Sequence, residues 1–431
     1  MTLPILHDLK KMEKRIRMKR ITEGALTQVY LILLVLFATS CIEEIDTTSF
    51  TYEKLLVVDA NISDQAKAHE VRLFYTSPID GDVDDTFNAA TGATVWVEDN
   101  LGIRTYFTEQ SSGNYLSSAS FAGEAGKSYT LFITTREGKK YQSSVEKLVP
   151  APEISEIYNR FAIKPIGQKA NPTPGIQFFI DVEDAGQSTQ FYRYEWTDAH
   201  QVIVPYLKKY EATPIYGIGD PIWVIAPFDI DVTECYRESR FDEVVLATSA
   251  SSNGELREIP IRFSKASEFD VTTMYSIEVT QRAISAQAYS YYRKIELFNE
   301  SNGSLFDKQH GAIVGNISSM DSPDEKVLGY FEVSGESSKR VFLEPSQLDE
   351  KVMDYVVRTC EEYYALEFEG DLNLFYKANG VPEDLLGDEL VRRAFYEVYD
   401  YDSFTDTKFL AHRLCIDCRT RGSLGKPEWW P

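Results

Sequence analysis

The sequence predicts a mainly β protein: two β-sandwich (immunoglobulin-like) domains with an inserted helix and an α-rich C-terminal part. Three observations lead there. Short apolar or alternating runs broken by Gly and Asn turns fill residues 52–150, the apolar spacing switches to a helical period near Ile284, and from Ser346 helical spacing returns. A length of 431 residues accommodates two to three domains, and 13% aromatic side chains give them large core groups.

The first forty residues stand apart from the rest. Lys10, Lys11, Lys14, Arg15, Arg17, Lys19 and Arg20 precede the uncharged run from Val29 to Ala38. Such a run suits the h-region of a signal peptide and is too short to span a bilayer. Ala38-Thr39-Ser40-Cys41 resembles a bacterial lipobox, which makes Cys41 the lipidated first residue of the mature chain. An ordinary cleavable signal with Cys41 as a bystander is the alternative. Met18 is a second candidate start beside Met1. Losing residues 1–40 removes seven basic and three acidic side chains, so a formal charge of -23 becomes about -27. Residues 41–51, opening Ile42-Glu43-Glu44-Ile45-Asp46, form an acidic tether. In Bacteroidota lipoproteins such a stretch resembles the signal for the outer leaflet of the outer membrane; simple solvation of a linker is the plainer reading.

Strands are expected at Leu55–Val58, Val71–Tyr75, Ala93–Val97, Arg104–Phe107, Tyr129–Ile133 and Lys140–Gln142, punctuated by Asn100-Leu101-Gly102, Ser112-Gly113-Asn114 and Glu137-Gly138-Lys139. Pro150-Ala151-Pro152 interrupts the pattern because each Pro removes a ladder donor, and the domain boundary is placed there. The second β-rich domain, 151–345, carries strands at Ile176–Val182, Gln190–Trp196, Val244–Leu246, Ile259–Phe263, Tyr275–Val279, Ala312–Val314, Val327–Val333 and Arg340–Leu343. Its inserted helix places Ile284, Ala288, Tyr291, Ile295 and Phe298 on one face, with Thr280 as cap. In residues 346–431, Leu348, Val352, Val356, Tyr363 and Leu366 share a helical face, and Pro382 opens another helix after an Asn379-Gly380 stop.

With Cys41 acylated, Cys235, Cys360, Cys415 and Cys418 remain, an even number that reads as disulfides in an exported protein. Three pairings exist and long-range staples are favoured over a tight Cys415–Cys418 loop. A zinc site would need a second C-x2-C half, and a thioredoxin-like centre a βαβ context.

The acidic balance excludes nucleic acid, whose phosphates need a basic face. Asp80, Asp82 and Asp84 have the D-x-D-x-D spacing of a Ca²⁺ loop, but Asp85 and Thr91 stand where the motif has Gly and Glu, so a solvated acidic loop is the better reading. There is no G-x-S-x-G, and the S-x-x-K matches Ser144–Lys147 and Ser423–Lys426 lack companion motifs. His69, His200, His310 and His412 are too scattered for a ligand set and read as surface or capping residues. No catalytic residue, cofactor or metal is assigned. Trp429 and Trp430 are either a docking point for a partner or sugar, or a tail packed on its own domain.

The second half carries Cys235-Tyr236, Tyr275-Ser276-Ile277 to Gln281, Ser285-Ala286-Gln287-Ala288-Tyr289, Gly303–Asp307, Gly315-Asn316-Ile317, Val327–Phe331 and Cys415-Ile416-Asp417-Cys418-Arg419, then Gly422 and Lys426–Trp429. In order and spacing these resemble the Bacteroidota lipoprotein family catalogued as domain of unknown function 4249, departing only in Arg421-Gly422-Ser423, where a Gly pair is expected. The resemblance implies an outer-membrane lipoprotein with no assigned reaction, facing the cell surface and partnering a TonB-dependent transporter. The expectation is a non-enzymatic accessory or substrate-capturing protein. A surface glycan or peptide hydrolase and an envelope assembly factor are the alternatives.

Overall fold

A computed structural model describes residues 53–77, 88–166, 171–183, 191–250, 255–267, 273–300, 313–356, 360, 365–381 and 396–431. The signal segment, Cys41, the tether, Asp80, Asp82, Asp84, His310, Gly303–Asp307 and the helix expected from Pro382 lie outside those residues.

Alternation decides the first strands: in β1 (Leu56–Ser63) Leu56, Val58, Ala60 and Ile62 are buried, and in β2 (Glu70–Tyr75) Val71 and Leu73. There follow β3 (Thr94–Asp99), β4 (Arg104–Ser111), β5 (Asn114–Leu116), β6 (Ser128–Thr134), β7 (Lys140–Ser143) and β8 (Glu146–Lys147). They enclose one core built from Val58, Val71, Val95, Leu131 and Tyr141.

The second half supplies β9 (Glu156–Ile166), β10 (Asn171–Val182), β11 (Phe191–Ile203), β12 (Tyr210–Ile215), β13 (Ile222–Pro227), β14 (Glu234–Thr248), β15 (Leu256–Lys265) and β16 (Tyr275–Ala283). After them come helix α1 (Ala286–Glu300), β17 (Ile317–Ser319) and β18 (Val327–Leu343). A second core gathers Phe178, Ile180, Tyr194, Trp196, Tyr275 and Ile277 between the β15-β10-β9 sheet and β11 and β16.

The strand β18 ties the two cores together. Its first half pairs in parallel with β1, Leu56 opposite Val327 through Ser63 opposite Ser334. Its second half pairs antiparallel with β16, Gly335 opposite Ala283 through Leu343 opposite Tyr275. One sheet therefore runs β14-β11-β16-β18-β1-β2-β5-β4-β3-β6-β7-β17, with β8 beside β6, and continues across the boundary placed at Pro150–Pro152. Lys54–Pro431 form one compact unit. The two strands expected at 327–333 and 340–343 are this single strand of 17 residues.

The remaining expectations divide. Thr280 lies within β16, and the helix is capped by Ser285, whose hydroxyl accepts from the Ala288 amide at 3.1 Å. Residues 313–315 are irregular, where a strand was expected at Ala312–Val314. The C-terminal part, expected to be α-rich, holds among the described residues a three-stranded sheet of β19 (Leu366–Glu369), β20 (Tyr396–Asp402) and β21 (Thr407–His412). The α-helix of this part whose bounds lie among the described residues is the seven-residue α2 (Leu372–Ala378), ended by Asn379 at the expected Asn379-Gly380 stop. Where a helix with Leu348, Val352 and Leu366 on one face was expected, two 3-10 turns form, Pro345–Gln347 and Glu350–Tyr355, the second capped by the Asp349 side chain accepting from the Lys351 amide, and Leu366 opens β19.

Candidate functional site

Side chains on β18 alternate between the cores and the opposite face. Phe331 and Val333 enter the first core, while Tyr330, Glu332, Ser334, Glu336, Ser338, Arg340 and Phe342 share the other face. The registers align that row with Arg193, Glu195 and Thr197 of β11, with Glu278 and Arg282 of β16, and with Asp59 and Asn61 of β1. This face is bounded on one side by α1, where Ala288, Tyr289, Tyr291 and Tyr292 pack with Tyr330 and Phe191. On the other side lies the C-terminal tail, whose Trp430 packs on Ala199, Tyr236 and Phe342.

Between these two covers runs a charged groove. Arg193 donates from Nε and Nη2 to both oxygens of Glu332, at 2.9 and 3.1 Å, and from Nη1 to Glu195 at 2.5 Å. Glu332 is fully buried, so it owes its charge to this bidentate partner. Arg282 lies 2.9 Å from Glu336, which Lys67 also reaches at 2.7 Å. Burial pushes the Glu195 carboxyl up, but Arg193 and Arg282 outweigh it and hold it at about 2. The same balance of burial against guanidinium charge holds Glu332 and Glu336 below the ordinary carboxylate range.

Two cavities open along the groove and share Arg240. One, of about 410 Å³, is lined by Asp59, Asn61, Arg72, Arg193, Glu195 and Tyr292 among others. The second, of about 310 Å³, is lined by Thr197, Glu238, Arg240, Arg340 and Trp429 among others. Arg340 donates to Glu278 at 2.6 Å and stacks 3.6 Å from the Trp429 ring.

Chemically the groove offers fixed donors and acceptors. Its shifted carboxylates stay ionised at neutral pH, whereas a general acid needs a carboxyl pushed upward. Among the described residues the carboxyl moved in that direction is Asp198, by burial; it accepts from the Tyr275 hydroxyl at 3.2 Å and also lines the second cavity, beside Thr197.

The cysteines form Cys235–Cys418 and Cys360–Cys415, both long-range, which leaves none of these thiols for zinc. Cys235–Cys418 fastens the tail to β14, and the Tyr236 and Ser423 backbones pair beside it. Trp430 is buried on its own chain, whereas Trp429 is partly exposed at the cavity rim. His69, read as surface or capping, is buried; its Nδ1 accepts from the Ser63 amide and its ring meets the Gln65 carbonyl. His412 does cap a turn, accepting from the Leu414 amide.

The motif residues have structural tasks. Asn316 accepts from the Phe331 amide at 2.8 Å and donates to the Phe331 carbonyl at 2.9 Å, closing the loop onto β18. Gln281 accepts from Tyr194 and donates to the Pro152 carbonyl. Asp417 is buried and accepts from the Arg419 amide and guanidinium.

The family model described as domain of unknown function 4249 matches residues 42–340, more than half of the chain. The chain belongs to this family. Within this DUF4249 protein the match takes in β1 through most of β18, hence most of the groove, and stops before the disulfide-bonded tail. No curated protein matches the chain. Among solved structures it is similar to a DUF4785 family protein from Legionella pneumophila, at 10% identity and a TM-score of 0.17, covering 52% of this chain and 51% of that one. The DUF4249 chain thus spans about half the length of that protein.

Arg193, Glu195, Glu332, Arg240 and Arg340 were not singled out from sequence. The available signal was Glu332, the one charge in Val327–Ser334. In Phe191–Trp196 the charges alternate with aromatics and read as an ordinary solvent face.

Proposed function

We propose that this chain is a non-enzymatic, surface-exposed outer-membrane lipoprotein of the Bacteroidota type, anchored through Cys41, that serves as accessory or substrate-capturing partner of a TonB-dependent transporter. Two β-sandwich lobes sharing β18 form its scaffold. The groove is the observation that carries the reading. Its arginines and carboxylates are locked in one another's charge, which favours holding a ligand or partner over transferring protons. Membership of a family described as of unknown function leaves this role open, and the Ala38–Cys41 lipobox supports the anchor. A lipid anchor confines the protein to two dimensions and raises its effective concentration near a barrel in the same membrane.

The experiment is a mild-detergent pull-down of the tagged protein from its own membranes, with Cys41→Ala as control. A TonB-dependent barrel in stoichiometric amount, lost in the control, is the expected result. A protein that purifies alone from intact complexes contradicts the partnership.

A further inference from the structure

The hairpin of β12 and β13 is built unlike the rest of the molecule. Between Thr213 and Pro227 the single charged residue is Asp220, in a chain that is 26% charged. Lys377 pairs with Asp220 at 2.8 Å. The register sets Ile215 opposite Ile222 and Thr213 opposite Val224, on one face. Ile215, Tyr216, Ile218 and Ile222 are 55, 67, 109 and 70% exposed.

The opposite face is braced. Trp223 packs on Tyr376 and donates from Nε1 to Asn373 at 2.9 Å, and Asn373 donates to the Pro221 carbonyl at 2.9 Å. A Cβ added at Gly217 or Gly219 meets nothing within 4 Å, so the loop has open space around both glycines. An exposed apolar tip whose one charge, Asp220, is paired with Lys377, braced from behind by Trp223 and carrying Tyr216 two residues before Ile218, suits a soft apolar medium at interfacial depth.

We infer that this tip inserts into the lipid surface to which Cys41 anchors the chain, an inference that rests on the lipoprotein reading. The geometry permits both attachments at once. Lys54 precedes the end of β1 that pairs with Val327, whereas the hairpin follows β11 near the Leu343 end of β18, about 50 Å of strand away. The segment from Cys41 to Glu53 reaches at most about 43 Å.

The test uses the full lipidated protein, reconstituted into phosphatidylcholine–phosphatidylethanolamine vesicles, with Ile218→Cys carrying an environment-sensitive fluorophore. The expected result is a blue shift of the probe and its quenching by nitroxide-labelled acyl chains, both lost when Ile215→Asp and Ile222→Asp are added while flotation with vesicles is retained. A probe that stays in water on floating protein overturns the insertion and assigns the tip to a protein partner. Loss of flotation by the unaltered chain overturns the anchor reading, and this inference with it.

Discussion

Glu332 is fully buried and owes its charge to Arg193. Replacing it by Gln leaves that guanidinium without its bidentate partner, so Glu332→Gln is expected to lower stability by about 3–5 kcal/mol, read from the urea midpoint. The Glu195 carboxyl sits at about 2 against an ordinary 4.5. A folded value below the unfolded one means that the stabilisation is complete above about pH 4.5 and is lost as pH falls from there through about 2. Glu332 and Glu336 act in the same direction. Urea unfolding at pH 6 and pH 3 should therefore show a fall on the order of 2 kcal/mol from Glu195, and a shallower fall in Glu195→Gln. A lone carboxylate in a core strand was visible in the sequence. Its role was not, because its partner Arg193 lies 139 residues away.

At the scale of elements, the strands were the most legible feature, because β1, β2, β3, β6 and β7 carry a clean alternation that any half-buried sheet requires. What periodicity could not reveal is that β18 continues from one core to the other, since its middle residues Gly335 to Lys339 are polar or small. Nor could it separate 3-10 turns from a helix at 345–355, where spacings of three and four residues look alike over so short a stretch. The β12–β13 hairpin was missed because Trp223 and Tyr376, which hold it, are distant in sequence. Gly329 shows how closely β18 meets β1: its φ is +96° and an added Cβ would lie 1.8 Å from the Val58 carbonyl oxygen. Gly329→Ala is expected to cost more than about 1–3 kcal/mol, observable as a lowered thermal midpoint. Cys235–Cys418 spans 183 residues, and Cys418→Ser is expected to lose on the order of 4 kcal/mol by denaturant unfolding. The even cysteine count announced two staples; which thiols meet depended on where the tail lies against β14, a tertiary fact.

For the whole molecule, one acidic unit, Lys54–Pro431, presents a groove on one sheet face and an apolar hairpin at one end. Neither feature has meaning without knowing what holds the protein in place, and both readings converge on Cys41. The measurement that bears on it most directly is the intact mass, with fragmentation of the N-terminal peptide, of the protein extracted from its native membranes. The account predicts a chain that begins at Cys41 and carries a diacylglyceryl thioether. A mature N-terminus at another residue, or an unmodified Cys41 thiol, would contradict it.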